Sequence, residues 1–186
     1  MKNISVLLFL LITLALNAQN NKTSGLNARQ FHKYWKVESE SPDYKVTFLG
    51  DTVEILSPKG LTLWRKEKMS GKVTIEYDAC VVVEVEGDRL SDLNCFWMAS
   101  DPQYPDNIWK REKWRSGIFL NCYSLQLYYM GYGGNHNSTT RFRRYDGNEA
   151  AITNAKARPA ILKEYTDADH LLEANKWYHI KITNEN

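Results

Sequence analysis

The sequence predicts an all-β sandwich, and three observations carry that expectation. Apolar residues recur with a period of two in short runs, as they do on half-buried strands, rather than at helical spacing. Turn signals such as Gly50-Asp51 and Pro58-Lys59-Gly60 separate the runs. The chain of 186 residues shows no internal repeat and no low-complexity tract, and its length suits one domain with a sizeable core.

Taken in order, Lys45 to Leu49 and Thr52 to Leu56 form a hairpin about Gly50-Asp51, and Leu61 to Arg65 follows as a third strand. The longest strand runs from Lys72 to Glu84. Alternation places Val73, Ile75, Tyr77, Ala79, Val81 and Val83 on its core face, with Thr74, Glu76, Asp78, Cys80 and Val82 opposite. Asn94 to Ser100, Gly117 to Tyr123, Leu125 to Tyr132, Thr139 to Tyr145 and Trp177 to Thr183 complete the expected strands. Between Asp101 and Ser116 lies a long connection, "DPQYPDNIWKREKWRS", whose tryptophans argue against disorder. A short helix is expected over Asp167 to Asn175, with Asp167 as its cap.

The amino terminus reads as a signal peptide over residues 1–18. Lys2 supplies a positive charge, Ile4 to Leu16 is an almost continuous apolar run too short to span a bilayer, and Ala18 is a small residue suited to cleavage. A buried amino-terminal strand or helix is the alternative. Residues 19–30 read as a polar leader and residues 31–186 as the folded domain, free in the periplasm or secreted. A net charge of +2 points to neither nucleic acid nor a membrane surface as partner. Cys80, Cys95 and Cys122 are either one disulfide with one free thiol or three small buried hydrophobes, and their spacing matches no zinc pattern. No cofactor or metal motif is present.

The chemistry concentrates in Tyr128 to Gly147, "YYMGYGGNHNSTTRFRRYDG". Thr139, Arg141, Arg143 and Tyr145 alternate onto one face of their strand, with Phe142 on the other as its expected core residue. Arg141 and Arg143, about 7 Å apart, suit bidentate contacts with carboxylates or sulfates. Gly131, Gly133 and Gly134 let a ligand approach the backbone, Asn135 and Asn137 offer hydrogen bonds to hydroxyls, and His136 is the nearby proton carrier at neutral pH. Tyr128 and Tyr132 share a face with Met130 and are suited to stacking on sugar rings. Trp97 and Asn94 alternate onto opposite faces of their strand, so at most one reaches the same site, and Trp97 is taken as the further candidate contact. Glu76 and Asp78, on one face of the long strand, could serve as paired carboxylates for glycoside hydrolysis, though a solvated face explains them better.

Three stretches, "LNCFWMASDP" from Leu93, "LQLYYMGYGGNHNSTTRFRRYDG" from Leu125 and "LKEYTDADHLLEANKWYHI" from Leu162, resemble a family of secreted bacterial proteins. That family sits among polysaccharide-utilisation functions and has a concanavalin A-like jelly roll. "ANKWYHIKITNEN" is similar to the penultimate region of such jelly rolls. The resemblance implies a ligand on the concave sheet, and further carboxy-terminal strands with a "DG" hairpin that this sequence does not contain. The expectation is therefore a jelly roll that lacks its last strands or borrows them from another molecule.

Two functions follow. In a lyase acting on an acidic polysaccharide, Arg141, Arg143 and Asn135 neutralise a uronate carboxylate, His136 is the base, and Tyr132 or Tyr128 returns the proton. In a non-catalytic glycan-binding module the same residues bind without tuned pKa values. A hydrolase built on Glu76 and Asp78 ranks third.

Overall fold

A computed structural model describes residues 6–11 and 27–185. Its strands are β1 (Val6–Leu11), β2 (Trp35–Ser39), β3 (Lys45–Leu49), β4 (Thr52–Ser57), β5 (Leu61–Arg65) and β6 (Val73–Val82). They continue with β7 (Leu93–Ser100), β8 (Gln126–Gly133), β9 (Thr139–Asp146), β10 (Ile161–Tyr165) and β11 (Trp177–Asn184). A five-stranded sheet has the order β11-β6-β1-β4-β3, a four-stranded sheet β10-β9-β8-β7, and β2 pairs with β5 alone. All pairings are antiparallel, so the protein is an all-β sandwich.

Apolar contacts set the layers. Phe31, Val53 and Ile55 pack with Val37, Leu61 and Leu63, which seats the five-stranded sheet on the β2–β5 pair. Ala79 and Val81 of β6 pack with Leu93 and Tyr132, which seats the same sheet on one face of the four-stranded sheet. The opposite, outer face of that sheet carries a second core, in which Leu127, Tyr129 and Tyr145 lie under Cys122, Tyr123, Leu125 and Ala151. The long strand β6 has the alternation expected of it, with Ala79 and Val81 inward and Glu76 and Asp78 outward against β11.

Several segments depart from the sequence reading for identifiable reasons. Gly117 to Tyr123 is not a strand: Phe119–Ser124 form a 3-10 helix, and Phe119, Cys122 and Tyr123 stand at the three-and-four-residue spacing that gives such a turn one apolar side. The helix expected over Asp167 to Asn175 is a single 3-10 turn, Ala168–His170. Asp167 binds the His170 ring at 2.6 Å instead of capping, and Leu172 is held by the side chain of Asn137. The polar run gains a helix, α1 (Ala28–Tyr34), because Asn27 and Gln30 form a reciprocal capping box and Phe31 is buried. Of the run read as a signal peptide, residues 1–5 and 12–18 lie outside the described residues, and Val6–Leu11 form the central strand of the five-stranded sheet. All three cysteines are free thiols. Burial raises the pKa of each, to about 11 for Cys95 and about 12 for Cys122. Among the described residues no helix is long and apolar enough to cross a membrane.

The Asp101–Ser116 connection is ordered, with a 3-10 turn at Ile108–Arg111 and α2 (Glu112–Arg115). Arg115 is fully buried and forks onto Glu38 of β2, with Nη2 to Oε1 at 2.6 Å and Nε to Oε2 at 3.2 Å. Its Nη1 donates to the Ile108 carbonyl at 2.8 Å. Arg111 makes a second fork onto buried Asp101, at 2.8 and 3.0 Å, and also pairs with Glu149.

Removing one member of a buried pair strands the other charge, so Arg115→Leu should lower stability by about 3–5 kcal/mol. The double variant Glu38→Leu/Arg115→Leu should lose less, and urea midpoints of the two variants check the difference.

On the outer face of β6, His179 Nδ1 lies 2.8 Å from Asp78 and Nε2 lies 3.1 Å from Glu76. The hydrogen bond to Asp78 is the largest cause raising the His179 pKa, with Glu76 adding to it. Because the folded value lies above the unfolded one, this contribution to stability is complete below about pH 6.5 and is lost as pH rises through the folded pKa. An NMR titration should place the His179 midpoint above that of a free histidine and move it down in Asp78→Asn.

Candidate functional site

The candidate site lies on the outer face of the four-stranded sheet. Cross-strand register builds it in two rows. Asn94 of β7, Gly131 of β8, Arg141 of β9 and Glu164 of β10 stand opposite one another in the first. Phe96, Tyr129 and Arg143 form the second. The sequence allows the rows to meet because Gly131 has no side chain. The Tyr129 ring lies over it, so close that a Cβ at Gly131 would sit 2.0 Å from the Tyr129 hydroxyl oxygen. That hydroxyl donates to Asn94 Oδ1 at 3.1 Å.

Tyr129 is buried, and burial is the main reason its pKa rises well above the ordinary tyrosine range, with Asp92 adding to the rise and Arg143 and Arg141 opposing it. At neutral pH it is a proton-bearing hydrogen-bond donor. Arg141 contacts Glu164 through Nε, and Arg143 reaches the Pro159 carbonyl through Nη1. Both arginines are half-buried, and these contacts fix their side chains against β10 and the segment before it. Farther along the same face the tyrosines close up, with ring centroids of Tyr129 and Tyr145 5.5 Å apart and those of Tyr123 and Tyr145 4.8 Å apart.

The turn joining β8 to β9 is left-handed. Asn135, His136 and Asn137 have φ of 53°, 57° and 55°, a conformation that costs an L-residue about 1–2 kcal/mol each. Side chains compensate for it. Asn137 donates to the Leu172 carbonyl and accepts from the Leu172 amide, both at 2.8 Å, and Ser138 donates to the Asn135 carbonyl at 2.7 Å. His136 is thereby exposed on the turn, beside Arg89 and Leu90, and it lines the same cleft as Asn94 and Trp97.

The structure separates residues that alternation alone had grouped. Arg141 and Arg143 share a face with Tyr129, not with Tyr128 and Tyr132, because Tyr129 and Arg143 are register partners. Tyr128 lies on the inner face, stacked with Trp97 at 5.7 Å and with Phe142 at 5.9 Å. Tyr132, also inward, donates to the Leu171 carbonyl at 3.2 Å and meets Tyr178 edge-on; burial is the main reason its pKa is pushed up to about 12. Asn137 spends both ends of its amide on Leu172, so its contact is with the chain itself. Asn135 is exposed and donates to Ser138. Sequence reasoning missed Tyr129 as a site residue and preferred Trp97 to Asn94, whereas Asn94 shares the outer face and Trp97 stacks inward on Tyr128. The available signal was Tyr129-x-Gly131, an aromatic two residues from a glycine on one strand face, which lets the ring lie flat over the backbone. Glu76 and Asp78 are engaged by His179, and Glu76 also by Lys181 at 3.3 Å, on the outside of the other sheet. Among the described residues no group of three or more His, Cys, Asp and Glu side chains is disposed to hold a metal ion.

Fold and site together define an antiparallel β-sandwich protein with a tyrosine–arginine face bordered by a histidine-bearing turn. A family model described as a domain of unknown function, DUF6250, matches residues 55–186, and the chain belongs to that family. The match takes in both rows of the site and the left-handed turn. No curated protein and no solved structure matches.

Gly131→Ala should force the Tyr129 ring off the sheet and break its bond to Asn94. Chemical denaturation should register a loss of about 1–3 kcal/mol, as for other overpacked sites, and the Asn94 side-chain amide resonances should shift.

Proposed function

We propose that this chain is an exported carbohydrate-active protein that binds an acidic, uronate-containing polysaccharide across the outer face of β7 to β9 and cleaves it by elimination. The observation that carries the reading is the pair of rows in which Arg141 and Arg143 flank a buried, protonated Tyr129 that is hydrogen-bonded to Asn94. Two arginines about 7 Å apart along one strand face suit a sugar carboxylate, whose neutralisation acidifies the neighbouring C–H. In the elimination His136 takes the proton from C5, the C4–O bond breaks as the C4–C5 double bond forms, and Tyr129 protonates the departing oxygen. The inward-facing Tyr128 and Tyr132 have no part in this arrangement. Export is read from the leader-like composition of residues 1–18 alone, since Val6–Leu11 of that run pair with β4 and β6.

A non-catalytic glycan-binding module is the second reading. It is favoured by the exposure of His136 at a turn tip, where a base would be open to solvent. A glycoside hydrolase on Glu76 and Asp78 has less support, because both carboxylates are engaged by His179.

Purified protein incubated with uronate polysaccharides should raise absorbance in the ultraviolet band of unsaturated uronate. The rise should vanish in His136→Ala and fall at least about 100-fold in Tyr129→Phe, the usual scale for a lost proton-transfer group. Arg141→Ala and Arg143→Ala should weaken binding. Binding without any rise in absorbance would make this a glycan-binding module, and neither binding nor turnover on any uronate polymer would sink both readings.

A further inference from the structure

A cleft of about 1290 Å³ runs between β5 and β7. Among the described residues β5 pairs only with β2 and β7 only with β8, so each strand turns an unpaired edge toward the space between them. Every residue from Leu61 to Arg65 and from Leu93 to Ser100 lines it. Residues of both parities, on two strands that each have an unpaired edge among the described residues, put those edges in the walls, while Val73–Tyr77 of β6 line the floor. Single donor atoms buried in the walls add an unmet demand of their own. Among the described residues the indole N–H groups of Trp35 and Trp64 and the Nε–H groups of Arg65 and Arg89 have no acceptor, although the two guanidinium groups pair through Nη2 with Glu67 and Asp92, and all four residues line the cleft. Trp64 is 7% exposed, so water does not readily meet that demand.

Two facing strand edges offer N–H and C=O groups at the strand repeat on both sides, and the group that satisfies both ladders together is a third strand. We propose that this cleft is a strand-docking site for an extended segment of another protein. A segment seated there would have Ile55 and Tyr77 of the five-stranded sheet beneath it and Trp109 and Phe119 of the covering connection above. With both faces covered, it must be a continuous apolar run rather than an alternating one. Its length is set by the five residues of β5 and the eight of β7. A second copy of this chain is a poorer occupant, because every described strand is already paired and one would have to be unzipped first. A glycan lacks the repeat needed to satisfy both edges.

The test uses the full chain and a capped synthetic octapeptide, KVIFVIVK, as the probe. Hydrogen exchange should show new protection at the amides of 61–65 and 93–100 and little change elsewhere, and the Trp64 indole N–H resonance should shift. Leu61→Lys, with its fold verified by near-ultraviolet circular dichroism, should weaken binding at least about tenfold by placing a charge on the cleft wall. The wild-type exchange pattern decides the proposal even if that variant does not fold. Absence of protection overturns it, as does equal binding of the alternating peptide KVKFKIKV. Protection produced by a uronate oligosaccharide would make the cleft a glycan site, and protection that rises with protein concentration alone would make it a self-association surface. Either of these results also overturns the proposal.

Discussion

The buried fork between Arg115 and Glu38 fixes the geometry on which the rest depends. It ties the connection after β7 to β2, a strand of the other half of the layer. The chain passes so close there that Gly117, at φ 73°, has no room for a side chain: a Cβ would lie 2.6 Å from the Glu38 carbonyl oxygen and 2.7 Å from the Ser39 Cα. Arg115 also spans the contact laterally, with its guanidinium 5.8 Å from the Trp64 ring centroid. A hydrophobic pair would serve stability as well, but it would not impose the orientation of a bidentate fork. That orientation aims the following 3-10 turn at the sheet, where Phe119, Cys122 and Tyr123 cap Tyr129 and Tyr145.

The covered part of the outer face therefore defines the open part. Leu127 and Tyr145 are sealed under the connection, while Asn94, Arg141 and Arg143, nearer the left-handed turn, remain half-exposed. Tyr129 sits on the boundary. Its ring belongs to the core and its hydroxyl to the polar rows, which explains both the raised pKa and the bond to Asn94. The loop at residues 170–172 anchors the other end, since Asn137, Thr140 and Tyr132 all hydrogen-bond to its backbone. The strain in Asn135 to Asn137 is thus held from two sides.

Much of the fold was legible from the period of two and the turn residues. The β3–β4 hairpin about Gly50-Asp51 and the two faces of β6 followed from alternation alone. What stayed hidden depended on contacts distant in sequence. β2 and β10 carry no clear alternation and become strands through their partners, β5 and β9. The site was half legible for a related reason. Alternation shows which residues of one strand share a face, but the turn determines which parity of β9 meets which parity of β8. Here the left-handed turn sets Tyr129 against Arg143, which moves Tyr128 and Tyr132 to the inner face. Asn137 looked like a ligand contact because nothing local revealed that Leu172 would claim it.

β7 serves the site and the cleft at once. Asn94 and Phe96 contribute to the two rows on its outer face, while its edge toward β5 is the unpaired wall of the cleft. It is also irregular, with a register shift between Trp97 and Ser100 and Met98 at φ 56°. A strand with one hydrogen-bonded neighbour and a bulge frays more readily than one paired on both sides. Pairing its second edge would restrict the backbone at Asn94 and so fix the acceptor that orients the Tyr129 hydroxyl. The same pairing would join the β2–β5 pair to the four-stranded sheet as one continuous layer, carrying the restraint from the Arg115–Glu38 fork to the rows by backbone hydrogen bonds rather than by side-chain packing alone. A strand docked in the cleft as proposed would therefore also order the site through β7, and a ligand that ordered β7 would favour docking of that strand.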